Sequence, residues 1–429
     1  MSELAAIKVK LWNQTVGALA WDTRNNLGEF QYDSAFVKQG FEISPLMMPL
    51  TGRTYRFPEL SRSDTFSGLP GLLADSLPEK FGNTLMKQWL AKKGMSFAEL
   101  TPVERLCYIG NRGMGALEFE PDFDMDANRL FHLDVNELVQ VAQEIMNQHN
   151  HARVDLDPIE QFKRFDRLIQ IGTSAGGAKA KVIISLNEST HEIMSGQGPC
   201  LPGFEHWLLK LSDVENTEHV SDTDIGRLEY AYYLMAVEAG ISMMESRLIP
   251  DGKRSHFMTR RFDRLDGKKL HVQSFCGIAH EDRNPPGNTH YETLFSVARK
   301  IGLGQTALEE LYRRMVFNIL ARNQDDHSKN HGFIMDGTGS WFLSPAFDIV
   351  FSYKKGSRWV DLQQMCCNGK RDAFTRDDLL SASKAADVKN PDAIIREVSD
   401  AIACWPDFAA KAGLEPDQME AIRTFFRSV

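Results

Sequence analysis

Residues 322–330 read Arg322-Asn323-Gln324-Asp325-Asp326-His327-Ser328-Lys329-Asn330. The stretch follows the apolar helical pattern of residues 311–320 and places carboxylates, an imidazole, an ammonium group and amides side by side. Charged groups are costly to bury without partners, and a cluster this dense is unusual on a plain surface. The pattern therefore indicates an active-site loop. A capped helix end with solvated charges is the alternative interpretation.

The spacing of acids and amides in and after this loop matches the needs of phosphoryl transfer. Asp325 and Asn330 are five residues apart, which is the offset of the base and the metal-binding amide in the catalytic loop of protein kinases. Asp348 follows in a second acidic position, directly after the aromatic Phe347. Because Mg²⁺ prefers carboxylate and amide oxygens, we predict that Asp325 is the catalytic base and that Asn330 and Asp348 bind Mg²⁺. Asp326 is the alternative base, which the offset disfavours.

A glycine-rich loop lies upstream and reads Gly172-Thr173-Ser174-Ala175-Gly176-Gly177-Ala178-Lys179-Ala180-Lys181. Small residues let backbone N–H groups approach phosphate oxygens, and the lysines add positive charge. The loop fits neither the Walker A pattern nor G-x-G-x-x-G, so an ordinary tight loop is the alternative. Its position before a predicted strand and before Lys210 favours nucleotide binding.

Lys210 lies inside an apolar strand pattern at residues 206–211. A buried ammonium group needs an anionic partner, so we predict that Lys210 contacts nucleotide phosphates, as the strand lysine of kinases does. A lysine on an edge strand that reaches water is the alternative. Glu229, on the next predicted helix, is a candidate ion-pair partner. Residues 260–264 end a later strand, where they form either the hinge of a two-lobed kinase or a charged strand end.

The composition of the chain limits the classes of protein to which it can belong. The 429 residues carry a formal net charge of −9, with 42% hydrophobic and 25% charged residues. This composition excludes a disordered or collagen-like chain and predicts two or three domains. The acidic balance argues against a protein that coats nucleic acid by itself. No signal-peptide pattern and no long apolar window occur, so a cytoplasmic protein without a membrane segment is expected.

The order of predicted elements indicates a two-lobed α+β enzyme. Alternating apolar and polar residues predict strands near the N-terminus, for example at residues 7–12. Helical spacing appears at residues 81–92 and 134–150. From about residue 290 onward helical patterns dominate, at 291–303, 306–322, 376–386, 391–404 and 415–427.

Several motifs, taken in order, resemble the HipA family of bacterial toxin serine/threonine kinases. The resemblance covers almost the whole chain. The matching segments are Asp75-Ser76-Leu77-Pro78, Asn111-Arg112-Gly113-Met114-Gly115-Ala116, the loop 174–181, Arg261-Phe262-Asp263-Arg264, Asp325-x-His327-x-Lys329-Asn330 and Phe347-Asp348. It implies an α+β, protein-kinase-like two-lobed fold with an N-terminal β-rich subdomain at 1–150, a kinase-like N-lobe at 151–265 and a mainly helical C-lobe at 266–429.

The resemblance also implies roles for individual residues. Asp325 would be the base, Asn330 and Asp348 would bind Mg²⁺, and Ser174 would be autophosphorylated as self-inactivation, with the neighbouring Thr173 as the alternative site. The residues expected to bind ATP are Gly176, Gly177, Ala178, Lys179, Ala180, Lys181, Lys210, Arg260, Arg261, Phe262, His327, Lys329, Asn330, Phe347 and Asp348. Residues 176–181 would cover the nucleotide, and residues 260–262 would form the hinge.

Members of the family act with partners. The resemblance implies a small helix-turn-helix antitoxin (HipB-like), operator DNA bound through that antitoxin, and a protein substrate from translation such as an aminoacyl-tRNA synthetase, whose phosphorylation leads to dormancy. Two alternatives remain open at the level of sequence. One is a catalytically weak corepressor that acts by binding its antitoxin on DNA, and the other is a small-molecule kinase.

Overall fold

A computed structural model describes residues 6–123, 131–147, 168, 171–172, 179–198, 200–212, 225–265 and 267–429. The predicted loop residues Thr173, Ser174, Gly176, Gly177 and Ala178 lie outside the described residues. Within the described part of the chain, no helix is long and apolar enough to cross a membrane.

The secondary structure alternates between sheet and helix along the chain. The strands are β1 Ile7–Leu11, β2 Gln14–Asp22, β3 Leu27–Tyr32, β4 Thr54–Tyr55, β5 Leu117–Glu120, β6 Lys181–Asn187, β7 Ile193–Ser195, β8 Phe204–Lys210, β9 Ser246–Asp251, β10 Arg254–Arg260, β11 Arg264–Leu265, β12 Lys268–Lys269, β13 His271–Ser274, β14 Gly332–Met335 and β15 Trp341–Leu343. The helices are Ser34–Val37, Gly71–Ala74, Lys80–Lys92, Pro102–Ile109, Val135–Asn147, Ile225–Glu238, Phe275–Ala279, Tyr291–Lys300, Gln305–Leu320, Arg376–Ala385, Pro391–Ala403, Trp405–Ala412 and Pro416–Arg423. Single 3₁₀ turns occur at Pro58–Leu60, Phe97–Glu99 and Ser328–Asn330.

The N-terminal part is built on a sheet of order β4-β3-β2-β1-β5. Its β1 strand shows the alternation that the sequence predicts, because Ile7, Val9 and Leu11 are buried while Lys8 is exposed. Successive side chains of a strand point to opposite faces, so one face of this sheet joins a hydrophobic core. That core extends to Cys276, after β13, and Met335, in β14. The N-terminal sheet is therefore packed directly onto the rest of the molecule.

A second antiparallel sheet, of order β7-β6-β8-β10-β9, carries the nucleotide-site candidates. Its core side contains Val182 and Trp207, packed with Phe81 and Leu85 from the helix Lys80–Lys92. Helices from the first 150 residues thus share a core with this sheet. The domain boundaries at residues 150 and 265 stay predictions.

The C-terminal part is mainly helical, as the sequence predicts. The helix Gln305–Leu320 lies at the centre of a large apolar core that also contains the helices on both sides of it in sequence. The small sheet β13-β14-β15 contributes Phe333 to this core and Met335 to the core of the N-terminal part. The predicted α+β, two-lobed arrangement is confirmed.

Candidate active site between the sheet lobe and the helical lobe

Lys210 ends strand β8 with its side chain buried, 9% exposed. In the sheet it lies opposite Lys181 of β6 and Phe257 of β10. Its ammonium group forms ion pairs with Glu229, from the helix Ile225–Glu238, and with Asp348. The predicted partnership with Glu229 is therefore confirmed, and Asp348 joins it from the other lobe.

The charged groups of this cluster shift the pKa values of one another. Burial would lower the pKa of Lys210, but Asp348 and Glu229 outweigh burial and hold that pKa above its ordinary value. For Asp348, burial would raise the pKa, but Lys210 and Lys181 hold it well below its usual range. Burial lowers the pKa of Lys181, and Asp348 partly opposes this effect. Lysines held near carboxylates at a lobe boundary can bind an anionic ligand such as a polyphosphate.

The loop that follows the helix Gln305–Leu320 is closed by its own last residue. Nδ2 of Asn330 donates to the backbone oxygen of Asp325 at 2.8 Å, and the backbone N–H of Asn330 donates to His327 O at 2.8 Å. This leaves the amide oxygen of Asn330 free of those two bonds. Asn330 and Asp348 line one small pocket. A carboxylate and an amide oxygen on one pocket wall are the hard donors that suit Mg²⁺, so the residues present fit the predicted metal.

The two neighbouring acids of the loop have different surroundings. The side chain of Asp325 is 46% exposed and accepts one hydrogen bond from Nε2 of Gln364 at 2.6 Å. Asp326 is buried and accepts from Tyr291 Oη at 2.6 Å and from the backbone N–H of Gln364 at 2.8 Å. Burial raises the pKa of Asp326, although these hydrogen bonds act in the opposite direction. Asp325 is accessible to a substrate, whereas Asp326 braces the loop.

The residues that brace the loop were not identified from the sequence. Gln363 donates to Asn323 O at 2.9 Å and to Asp326 Oδ2 at 3.2 Å, and Arg427 donates to Gln363 Oε1 at 3.0 Å. These residues come from distant parts of the chain and form no motif with the loop. Local patterns therefore carry no signal for them.

His327 and Lys329 face different partners. Nε2 of His327 lies 3.9 Å from Oδ1 of Asp325, and its buried Nδ1 meets no hydrogen-bond partner within the described residues. Nζ of Lys329 lies 3.0 Å from Oε1 of Glu79, an N-terminal residue. The structure thus brings His327 to the proposed base and ties Lys329 to the N-terminal part of the chain.

The segment predicted to be the hinge has mixed contacts. Arg260 ends β10 and pairs with Glu205 at 2.6 Å. The buried guanidinium of Arg261 donates to Asp263 at 2.7 and 2.8 Å, so these bonds hold it within its own segment. Phe262 stacks on Phe347, with ring centroids 5.7 Å apart. Phe262 therefore connects this segment to Phe347, the residue that precedes Asp348.

Two further features concern residues near Asp348. Asp348 has a φ of 53°, a left-handed conformation that is uncommon for residues other than glycine and is found often at functional sites. Lys179 is half-buried and contributes to the low pKa of Asp348, while Ala180 and Lys181 are buried. The end of the predicted glycine-rich loop thus lies near the Lys210 cluster.

Comparisons with known proteins agree with this arrangement. The model described as the HipA-like C-terminal domain matches residues 173–405, and that of the HipA N-terminal domain matches residues 7–120. The chain is 20% identical, over 403 residues, to the serine/threonine-protein kinase toxin HipA of Shewanella oneidensis, covering 89% of this chain and 82% of the relative. The solved complex of HipA, HipB and operator DNA from Shewanella oneidensis aligns with a TM-score of 0.67 and 17% identity, covering 97% of this chain and 95% of that chain. This protein belongs to the HipA family.

Proposed function

We propose that this protein is an ATP- and Mg²⁺-dependent serine/threonine protein kinase that acts as the toxin of a toxin–antitoxin pair. The observation that carries the proposal is the double ion pair of Lys210 with Glu229 and Asp348, formed across the two lobes. A lysine on a strand, a glutamate on the next helix and a metal-binding aspartate are recurring parts of kinase sites. The name of the Shewanella oneidensis relative supports the same activity.

The proposed base is Asp325. A general base must come within hydrogen-bond reach of the proton that it accepts, and the side chain of Asp325, which is 46% exposed, is accessible to a substrate hydroxyl group. Because Gln364 occupies Oδ1 of Asp325, the other oxygen is the one proposed to accept the proton of a substrate hydroxyl group. Asp326 is a poor candidate for this role, since it is buried and already accepts several hydrogen bonds.

Nucleotide phosphates would be bound by Lys210 and Lys181, with residues 176–181 covering them. Asn330 and Asp348 would bind the metal. When bound, Mg²⁺ neutralises charge on the phosphate oxygens. The position of both residues on the wall of one pocket supports this assignment, because carboxylate and amide oxygens are the donors that Mg²⁺ prefers.

Autophosphorylation is proposed at Ser174, with Thr173 as the alternative acceptor. Membership of the family supports this proposal. A phosphate group would add negative charge to the segment of sequence that also carries Lys179 and Lys181, and we expect it to compete with ATP for both lysines. The modification would then act as self-inactivation.

The proposed partners are a helix-turn-helix antitoxin and operator DNA bound through it. The support is the solved relative, whose described complex contains HipB and operator DNA. The net charge of −9 on this chain favours DNA contact through a more basic partner. The proposed substrate is a protein of translation such as an aminoacyl-tRNA synthetase.

Incubation of the purified protein with labelled ATP tests the proposed activity. We expect Mg²⁺-dependent incorporation of phosphate into the protein itself and into components of a lysate, with loss of both in Asp325→Ala. Asp400→Ala, which changes an exposed acid on the helix Pro391–Ala403, is the matched control and should behave as wild type. Equal incorporation in Asp325→Ala and wild type, or none in either, would contradict the proposal.

A further inference from the structure

A segment of the N-terminal domain reaches the catalytic loop and pairs with it. Oε1 of Glu79 lies 3.0 Å from Nζ of Lys329, and Oε2 of Glu79 lies 3.4 Å from Arg283. Glu79 falls within the N-terminal family match at residues 7–120, whereas Lys329 falls within the C-terminal match at residues 173–405. The ion pair therefore links two domains that are matched by separate family models.

The Glu79–Lys329 pair is largely removed from solvent. The two side chains are 15% and 13% exposed. Burial would raise the pKa of Glu79, but Lys329 and Arg283 lower it to about 2. Burial would lower the pKa of Lys329, but Glu79 and Asp75 keep it above its ordinary value. Removing one partner would leave a buried charge without compensation, which is costly.

A second contact holds the same N-terminal segment in place. Asp75 accepts hydrogen bonds from the backbone N–H of Ser274 at 2.7 Å and from its hydroxyl group at 2.8 Å. Ser274 caps the helix Phe275–Ala279, and the backbone N–H of Phe275 donates to His331 O at 2.7 Å. His331 directly follows the loop residue Asn330. The segment that carries Glu79 is thus anchored to the structure that supports the loop.

This segment packs so closely against the helix Phe275–Ala279 that the contact requires glycine. A Cβ atom on Gly71 would lie 2.2 Å from the backbone oxygen of Gly277, and one on Gly277 would lie 2.2 Å from the carboxylate of Asp75. Both distances are far shorter than atoms allow. The helices Gly71–Ala74 and Phe275–Ala279 can therefore pack at this distance because both residues lack a side chain.

The charge of Glu79 also acts on one lysine of the candidate nucleotide site. Its charge acts on Lys181, where it opposes the effect of burial on the pKa. Lys329 sits directly before Asn330, the residue that closes the catalytic loop. Substitution of Glu79 would therefore remove a charge that acts on Lys181 and the ion-pair partner of the residue that precedes Asn330.

We propose that Glu79 is a positioning residue of the kinase site. The N-terminal domain fixes the catalytic loop by holding Lys329, which lies between Asp325 and Asn330 in the sequence. The inference rests on the proposed function. Glu79 holds the Lys329 ammonium group, and Lys329 in turn holds the backbone that presents Asp325 and Asn330. The N-terminal domain thus forms part of the active site and does more than bind partners.

The test compares Glu79→Gln, Glu79→Asp, Lys329→Met and the double variant Glu79→Gln/Lys329→Met in the full-length protein. Glu59→Gln, which changes an exposed glutamate of the same domain, is the matched control. Hydrogen exchange of the amides at residues 325–331 reports on the loop without ATP. Steady-state kinetics with ATP separate kcat from KM.

We expect Glu79→Gln to speed up exchange at residues 325–331 and to lower kcat about tenfold or more, since small misplacements of reacting groups cost up to about 100-fold. Glu79→Asp should restore part of both, and the double variant should be no worse than the poorer single variant. Unchanged loop exchange in Glu79→Gln, or losses in kcat that multiply in the double variant, would overturn the inference. Because the exchange measurement needs no ATP, it decides the positioning role even if wild type transfers no phosphate, a result that would overturn the proposed function separately.

Discussion

The side-chain amide of Gln364 donates a hydrogen bond of 2.6 Å to Oδ1 of Asp325, across 39 residues of sequence. The backbone N–H of Gln364 donates to Oδ1 of Asp326 at 2.8 Å. One residue therefore holds two adjacent carboxylates through different groups. Because the two bonds have different donors, substitution of the side chain removes the first and keeps the second.

Gln364→Leu should lower kcat about tenfold with little effect on Tm. The change frees the carboxylate of Asp325 to rotate, and a well-placed general base contributes about 10²–10⁴-fold to rate. Phosphate transfer from labelled ATP, measured beside a thermal unfolding scan, checks both expectations. Gln39→Leu, at an exposed glutamine of the N-terminal domain, is the control. A Gln364→Leu variant with the kcat of that control would show that the bond does not orient the base.

Asp325→Asn and Asp326→Asn should separate catalysis from stability. Asp325 is 46% exposed, so Asp325→Asn should abolish phosphate transfer and leave the free energy of unfolding nearly unchanged. Asp326→Asn should cost about 2 kcal/mol of that free energy, since its amide keeps one acceptor oxygen but places NH₂ where the second carboxylate oxygen accepts from Tyr291 and Gln363. Urea unfolding followed by circular dichroism measures the difference. If Asp326→Asn were as stable as wild type while abolishing activity, the two roles assigned here would be reversed.

Asp263→Asn should destabilise the contact between the glycine-rich turn at residues 113–115 and the residues that follow strand β10. Asp263 is fully buried, pairs with Arg261 and Arg264, and accepts from the backbone N–H of Gly115 at 2.7 Å. Breaking a buried charge pair costs about 3–5 kcal/mol, and urea unfolding would measure it. Asp400→Asn, at an exposed acid, should cost less than about 0.5 kcal/mol. Equal stability of the two variants would contradict a structural role for the cluster.

Stability should fall as the pH decreases below about 6.5, in part because of His271. Burial lowers the pKa of His271 to about 4, while an unfolded histidine titrates near pH 6.5. The unfolded state therefore binds the proton first, and stability is lost as the pH falls from about 6.5 to about 4, by up to about 3 kcal/mol.

Urea unfolding at pH 7, 6 and 5 measures this dependence for wild type and for His271→Gln. The substitution keeps a donor for Ile43 O, which Nε2 of His271 contacts at 3.1 Å. The slope of stability against pH should be smaller in His271→Gln. His191→Gln, at an exposed histidine, should keep the wild-type slope. Identical slopes in all three proteins would exclude His271 as a source.

Much of the secondary structure could be predicted because its signal is local. The helix predicted at 391–404 is found at Pro391–Ala403, where Asn390 caps the first turn. The helix predicted at 415–427 ends earlier, at Arg423. After it, the backbone N–H of Arg427 donates to Leu320 O at 2.9 Å and its guanidinium group to Ile319 O at 2.8 Å. These tertiary bonds replace the last helical turn, and helical periodicity contains no information about them.

The residues of the candidate site likewise fall into those that a local sequence pattern predicts and those that it does not. The spacing of Asp325 and Asn330 was visible because both residues belong to one loop that closes on itself. Glu79 and Gln364 were not identified, because each meets the loop from a distant part of the sequence. The exposure that distinguishes Asp325 from Asp326 also depends on Tyr291 and Gln364, which surround Asp326.

The sequence by itself determined the α+β class, the order of the motifs and the residues of the catalytic loop. It did so because strand alternation, helical periodicity and loop spacing are properties of neighbouring residues. The tertiary structure alone decided that Lys210 pairs with both Glu229 and Asp348, and that Glu79 reaches Lys329. These ion pairs form where folding removes distant charges from water together, and the energy of a buried charge depends on which groups surround it in space.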